Sequence, residues 1–204
     1  LQNWKEGTPL TVKTLTGLMI SLSDNTATDK MINLLGQDYI ENYVTEINIP
    51  FLTTNEMFKL KYAVDSTTQE EYIKNDTKHK RAILENIKDV PLKVSMIIDS
   101  PTLINEFEWF FSTKELCNVI YDLRRADEIK INPGLVTESN WHMAGYKGGS
   151  EAGVLQYTHI LQKEKGDDIY TVSVTANNSK QKLNNDKITE LTGRLLSLIK
   201  NNNI

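Results

Sequence analysis

Two short stretches hold the residue types that could do chemistry, Ser23-Asp24-Asn25 and Lys147-Gly148-Gly149-Ser150. In the first, a hydroxyl and an amide can each donate and accept hydrogen bonds, which suits proton relay and recognition of an amide. The same letters suit a plain helix cap, with Asp24 or Asn25 accepting from the first turn of a following helix. In the second, the lysine brings positive potential to a site where an anionic group or a developing oxyanion can sit. Two glycines after it let a ligand backbone approach closely, although a glycine bulge at a strand end reads the same way.

The elements that must position these stretches change character along the chain. Val12, Leu15, Leu18, Met19 and Leu22 recur at helical spacing over 11–22, with Thr11 as the cap. Ala27, Met31, Ile32, Leu34 and Leu35 give a second helix that Gly36 ends. The turn carrying Ser23 between them is expected to face the core. Ile40, Tyr43, Val44 and Ile47 suggest a third helix, closing before Pro50. Thr53–Glu56 and Ser112–Glu115 are capping boxes opening further helices. Two short solvated helices fit 66–89, and 90–105, with Pro91 and Pro101, reads as a connection.

From Asn132-Pro133-Gly134 onward the period changes from helix to strand. Three β-like runs, 142–150, 154–163 and 168–177, are followed by a closing helix with Asp186 as its cap and a tail over 201–204 expected to fray. The layout is α+β, with a mainly helical part over 1–131 and an antiparallel sheet with its helix over 132–204.

Composition narrows the function. The chain has 204 residues, 23 Lys+Arg against 27 Asp+Glu and a net charge of −4, which gives no basic footprint for nucleic acid. One cysteine, Cys117, excludes an internal disulfide framework and a cysteine zinc cage. His79, His142 and His159 lack metal-ligand spacing, so no metal or other cofactor is implied. No apolar run reaches the roughly 18 residues of a membrane span.

Leu18-Met19-Ile20-Ser21-Leu22-Ser23-Asp24-Asn25-Thr26-Ala27-Thr28 resembles the Ser-Asp-Asn segment of the class A β-lactamases and related penicillin-recognising serine hydrolases. Gly145-Tyr146-Lys147-Gly148-Gly149-Ser150 resembles their Lys-Thr-Gly strand. The two motifs stand 124 residues apart, room for a helical subdomain, and the order of later elements is similar too. The resemblance implies a β-lactamase/transpeptidase-like fold and a site outside the cytoplasm, in the periplasm or beyond the cell. It implies that Ser23 relays a proton, with Lys147 as its electrostatic partner. It also implies that Asn25 binds a substrate amide carbonyl and that Gly149 and Ser150 line the oxyanion and carboxylate positions. The implied ligand is a β-lactam or a peptidoglycan-like peptide.

The departures from that family are specific. No Ser-x-x-Lys nucleophile motif precedes Ser23; Ser179-x-x-Lys182 and Ser197-x-x-Lys200 match the letters in the wrong places. The expectation is therefore the C-terminal part of a longer serine hydrolase, inactive alone and needing an N-terminal segment of the same protein. A non-catalytic ligand-binding protein on the same fold is the alternative. Gly148 stands where threonine is usual. Glu56 is the nearest acid to a deacylating base, but its capping box claims it.

Overall fold

The computed structural model describes residue 1 and residues 3–201, leaving 202–204 of the tail outside the described residues. Two compact units emerge: residues 1–19 with 24–110, and residues 20–23 with Phe111 onward. The sequence-based division at 131/132 differs from this one because the helix over 113–122 packs on the sheet rather than with the helices before it.

The first unit holds most of α1 (Val12–Ser21), then α2 (Asn25–Leu35), α3 (Gln37–Glu41), α4 (Thr54–Tyr62), α5 (Ser66–Lys74) and α6 (Thr77–Ile87). Aspartates cap three of these helices, Asp24, Asp65 and Asp76 each accepting from a first-turn N–H. The third helix is shorter than its apolar spacing suggested. It stops at Glu41 and only a 3₁₀ turn over Glu46–Asn48 follows. Tyr43 and Ile47 are exposed, so no packed face holds that stretch helical. The core gathers Leu52, Met57, Leu60, Tyr72, Leu84, Ile87 and Phe107. Trp109 stacks on Phe51 and donates its indole N–H to the Leu52 carbonyl, so its ring is engaged in packing.

The second unit holds α7 (Thr113–Asp122), β1 (Met143–Glu151), β2 (Val154–Gln162), β3 (Ile169–Asn177) and α8 (Asn185–Asn201). The strands form an antiparallel sheet in the order β1-β2-β3, with Lys147 opposite Thr158 and Tyr146 opposite His159. Because side chains alternate along a strand, the sheet has two distinct faces. On one, Ile160 packs with Ile120 of α7 and Ile129, and Ile20 joins them. On the other, Ala144 and Leu161 pack with Leu196 of α8 and Val172. The cap of α8 is Asn184, whose Oδ1 accepts from Lys187 N at 3.0 Å, two residues before the expected Asp186.

Candidate active site

Ser23 enters the site through its backbone. Helix α1 ends at Ser21, and Ser23 takes φ 51°, the left-handed region that a non-glycine residue enters at a cost of order 1 kcal/mol. Two anchors hold the chain just ahead of it. Ile20 packs into the Ile120–Ile129–Ile160 cluster, and the Asn132 side-chain amide donates to the Ser21 carbonyl at 3.1 Å. Asn132 also accepts from Gly134 N at 3.0 Å, so one side chain closes its own turn and fixes the approach to Ser23. In the sequence Asn132 marks only the point where the period changes from helix to strand, and nothing in the letters told of its reach to the Ser21 carbonyl.

Lys147 meets Ser23 from β1. Its Nζ donates to Ser23 Oγ at 2.6 Å and to the carbonyl of Gly148. It shares its face of the sheet with Gly149 and with buried Thr158, which is bonded to Ser173 at 3.0 Å. Burial pushes the ammonium below the usual lysine range, and no carboxylate among the described residues faces it. A desolvated cation whose partners are a hydroxyl and a carbonyl is electrostatically under-compensated. It can attract an anion, and it holds a hydroxyl in place for proton transfer.

The neighbouring positions differ in how they contribute. Gly149 is exposed, and a Cβ added there would meet nothing within 4 Å, leaving open room beside Lys147. Ser150, also exposed, pairs with Leu155 near the end of β1. Asp24 is the cap of α2, its Oδ1 accepting from Ala27 N at 2.8 Å. Asn25 is the first residue of that helix and is exposed; its carbonyl lies 3.4 Å from Thr54 Oγ1. The core-facing turn expected at 23–25 is not seen: Ser23 and Asn25 both lie at the surface, because α1 buries none of its residues. The structure thus brings Ser23 and Lys147 together directly.

Glu56 is not free to act as a base. Its Oε2 accepts from Thr53 N at 2.8 Å, Thr53 Oγ1 at 2.9 Å and Gln37 Nε2 at 2.8 Å. Ser197 Oγ donates back to the Gly193 carbonyl within α8 at 2.9 Å. Among the described residues no group of three His, Cys, Asp or Glu is placed to hold a metal, and no helix is long and apolar enough to cross a membrane.

Comparison with known proteins extends this geometry. A sequence model of the β-lactamase enzyme family matches residues 1–83, the stretch that includes Ser23-Asp24-Asn25. Over nearly the whole chain the backbone follows solved β-lactamases. The chain has a β-lactamase-like fold. The β-lactamase of Sphaerobacter thermophilus superposes with a TM-score of 0.53 at 16% identity, over 98% of this chain and 66% of that one. That of Streptomyces albus G gives 0.53 at 13% identity, over 96% and 68%. The carbapenemase VCC-1 of Vibrio cholerae gives 0.55 at 9% identity, over 93% and 66%. At such identities the likeness is one of fold, and the β-lactamase-like chain spans about two thirds of the length of these structures. A search of curated protein sequences finds no match to it.

Proposed function

We propose that this chain is the larger, C-terminal part of a serine hydrolase of the β-lactamase type. It would open a β-lactam or related amide through an acyl-enzyme. The observation that carries the reading is the 2.6 Å hydrogen bond from Lys147 Nζ to Ser23 Oγ, which joins two motifs 124 residues apart. In the proposed reaction a serine hydroxyl outside these 204 residues attacks the substrate carbonyl, forming a C–O bond. The nucleophile's proton goes to a base that also lies outside these residues. As the C–N bond breaks, Ser23 Oγ passes a proton to the departing nitrogen and regains one from that base. Lys147 orients Ser23 and attracts the substrate carboxylate, which supplies the counter-charge the ammonium lacks here.

Asn25 would hold the substrate's side-chain amide. The main-chain N–H of Ser150 would be one arm of the oxyanion hole, and Gly149 would leave the strand open to the ligand. The motif order is that of the class A enzymes, but the capped Glu56 removes the nearest base for deacylation, so the acyl-enzyme should be long-lived. The site belongs outside the cytoplasm, in the periplasm or the extracellular space, as the resemblance implies. These 204 residues alone, without the nucleophile, would not turn over.

Intact mass spectrometry of the complete gene product incubated with benzylpenicillin tests this. One added penicilloyl mass, mapped to a serine outside residues 1–204, is the expected result. No added mass, together with saturable but reversible ligand binding, would overturn it in favour of a non-catalytic binding protein.

A further inference from the structure

Gly148 is where two side chains that leave β1 on opposite faces come back to the strand. From one face the Lys147 ammonium donates to the Gly148 carbonyl. On the other, Tyr146 lies along the strand, and its phenol oxygen takes the place where a Cβ of residue 148 would stand. Residues 146, 148 and 150 share that face by strand alternation, so the phenol points along β1 toward exposed Ser150. Glycine at 148 is thus what lets a hydroxyl carried by residue 146 reach the position next to Lys147.

The ring is built in, yet its hydroxyl is unused. Ring centroids lie 4.8 Å from His159 and 6.2 Å from Tyr157, and a Cβ at Gly134 would meet the same ring at 2.6 Å. The hydroxyl has no hydrogen-bond partner among the described residues, and it is not sealed from solvent. A tyrosine packed this closely ordinarily gives its O–H a partner. Burial, with Tyr157 adding to it, raises the phenol pKa, so at pH 7 the group is a neutral donor. A fixed donor without an acceptor therefore stands beside a desolvated cation without a carboxylate.

We propose that Tyr146 is a further substrate-binding residue, its O–H donating to the ligand carboxylate that Lys147 attracts. One carboxylate oxygen meets the ammonium and the other meets the phenol, across Gly148. The two donors differ in kind: the ammonium supplies charge and the phenol supplies direction. A neutral ester brings no charge to the lysine and a weaker acceptor to the phenol, so the pair selects acids over their esters. The inference rests on the proposed function in taking a carboxylate as the group held at Lys147.

Tyr146→Phe in the complete gene product keeps the ring and removes only the oxygen, so its urea midpoint should match that of wild type. The dissociation constant of benzylpenicillin in the complex that precedes any acylation should rise about tenfold, the loss of one hydrogen bond to a charged group. The limiting acylation rate constant should change by less than about twofold, because binding rather than the chemical step is affected. Benzylpenicillin methyl ester should bind variant and wild type alike. In wild type isotope-labelled at tyrosine Cζ, the Tyr146 resonance, assigned by its loss in the variant, should shift with the acid and stay in place with the ester. An unchanged dissociation constant for the acid, or an unshifted resonance, would overturn the proposal. Weaker binding by the variant with no penicilloyl mass on either protein would leave Tyr146 in its role and the catalytic reading fallen. Penicilloylation with equal dissociation constants would do the reverse.

Discussion

Tyr146 lies along β1 over Gly148, so that a Cβ at position 148 would collide with the phenol oxygen and with the main-chain carbonyl of Gln156 on β2. Tyr146 is itself fixed, with ring centroids 4.8 Å from His159 and 6.2 Å from Tyr157. Glycine at 148 is therefore a packing requirement of this sheet. Gly148→Thr, which restores the residue usual in the family, should lower stability by about 1–3 kcal/mol, as overpacking does. Adding Tyr146→Ala removes the phenol but leaves the Gln156 carbonyl, so the double variant should recover only part of the loss. Urea unfolding midpoints of the wild type, Gly148→Thr, Tyr146→Ala and the double variant check this. A Gly148→Thr protein as stable as wild type would contradict it.

The Ser23–Lys147 pair should act as a unit. Ser23→Ala and Lys147→Met should each slow acylation by benzylpenicillin by on the order of 100-fold, and the double variant should be little slower than either, because each loss already breaks the same contact. Second-order acylation rate constants of the complete gene product close the cycle. Independent, multiplying losses would mean that the two groups do separate work.

Much of this pair was legible in the letters, and the physical reason is that both motifs are local. Helix spacing places Ser23 after α1, and strand alternation places Lys147 and Tyr146 on opposite faces, as observed. The capping box that claims Glu56 was equally local and is present as read. Long-range facts were not legible. Asn132 reaches the Ser21 carbonyl across 111 residues, and no period or spacing encodes that. The exposure of Ser23 and Asn25 depends on what covers α1, and the length of α3 on whether Tyr43 and Ile47 find a packing partner.

Lys147 should cost stability as well as serve the site. Burial lowers its folded pKa below the unfolded value, so a protonated lysine disfavours folding at neutral pH, and the cost is relieved only as pH rises toward the unfolded pKa. Lys147→Met keeps the length of the stem and removes the charge. Its thermal midpoint at pH 7 should be higher than that of wild type while acylation falls, the usual trade between stability and activity. A lower midpoint would show that the bonds to Ser23 and Gly148 outweigh the desolvation.

Asn132 offers a test of positioning rather than of chemistry. Asn132→Ala removes the donor to the Ser21 carbonyl, a loss of about 1 kcal/mol for one hydrogen bond, and frees the chain ahead of Ser23. Acylation should slow several-fold with its pH profile unchanged, since no titrating group is touched. A shifted profile would place Asn132 in the proton path instead.

His159 should make the fold acid-sensitive well before its carboxylates titrate. The ring is fully buried, with Nε2 accepting from Leu135 N at 3.2 Å and Nδ1 without a partner among the described residues, so the neutral ring carries its proton at Nδ1. Burial pulls its pKa from 6.5 to about 4. Between those values the unfolded chain binds a proton that the folded chain refuses, so stability is fully present above about pH 6.5 and falls as pH drops toward 4. The full loss is on the order of 3 kcal/mol, at about 1.4 kcal/mol for each pKa unit. His159→Gln keeps an acceptor for Leu135 N and should flatten this slope. Urea midpoints at pH 7.5, 6, 5 and 4.5 for wild type and variant give the comparison, and parallel curves would show that another group carries the acid sensitivity.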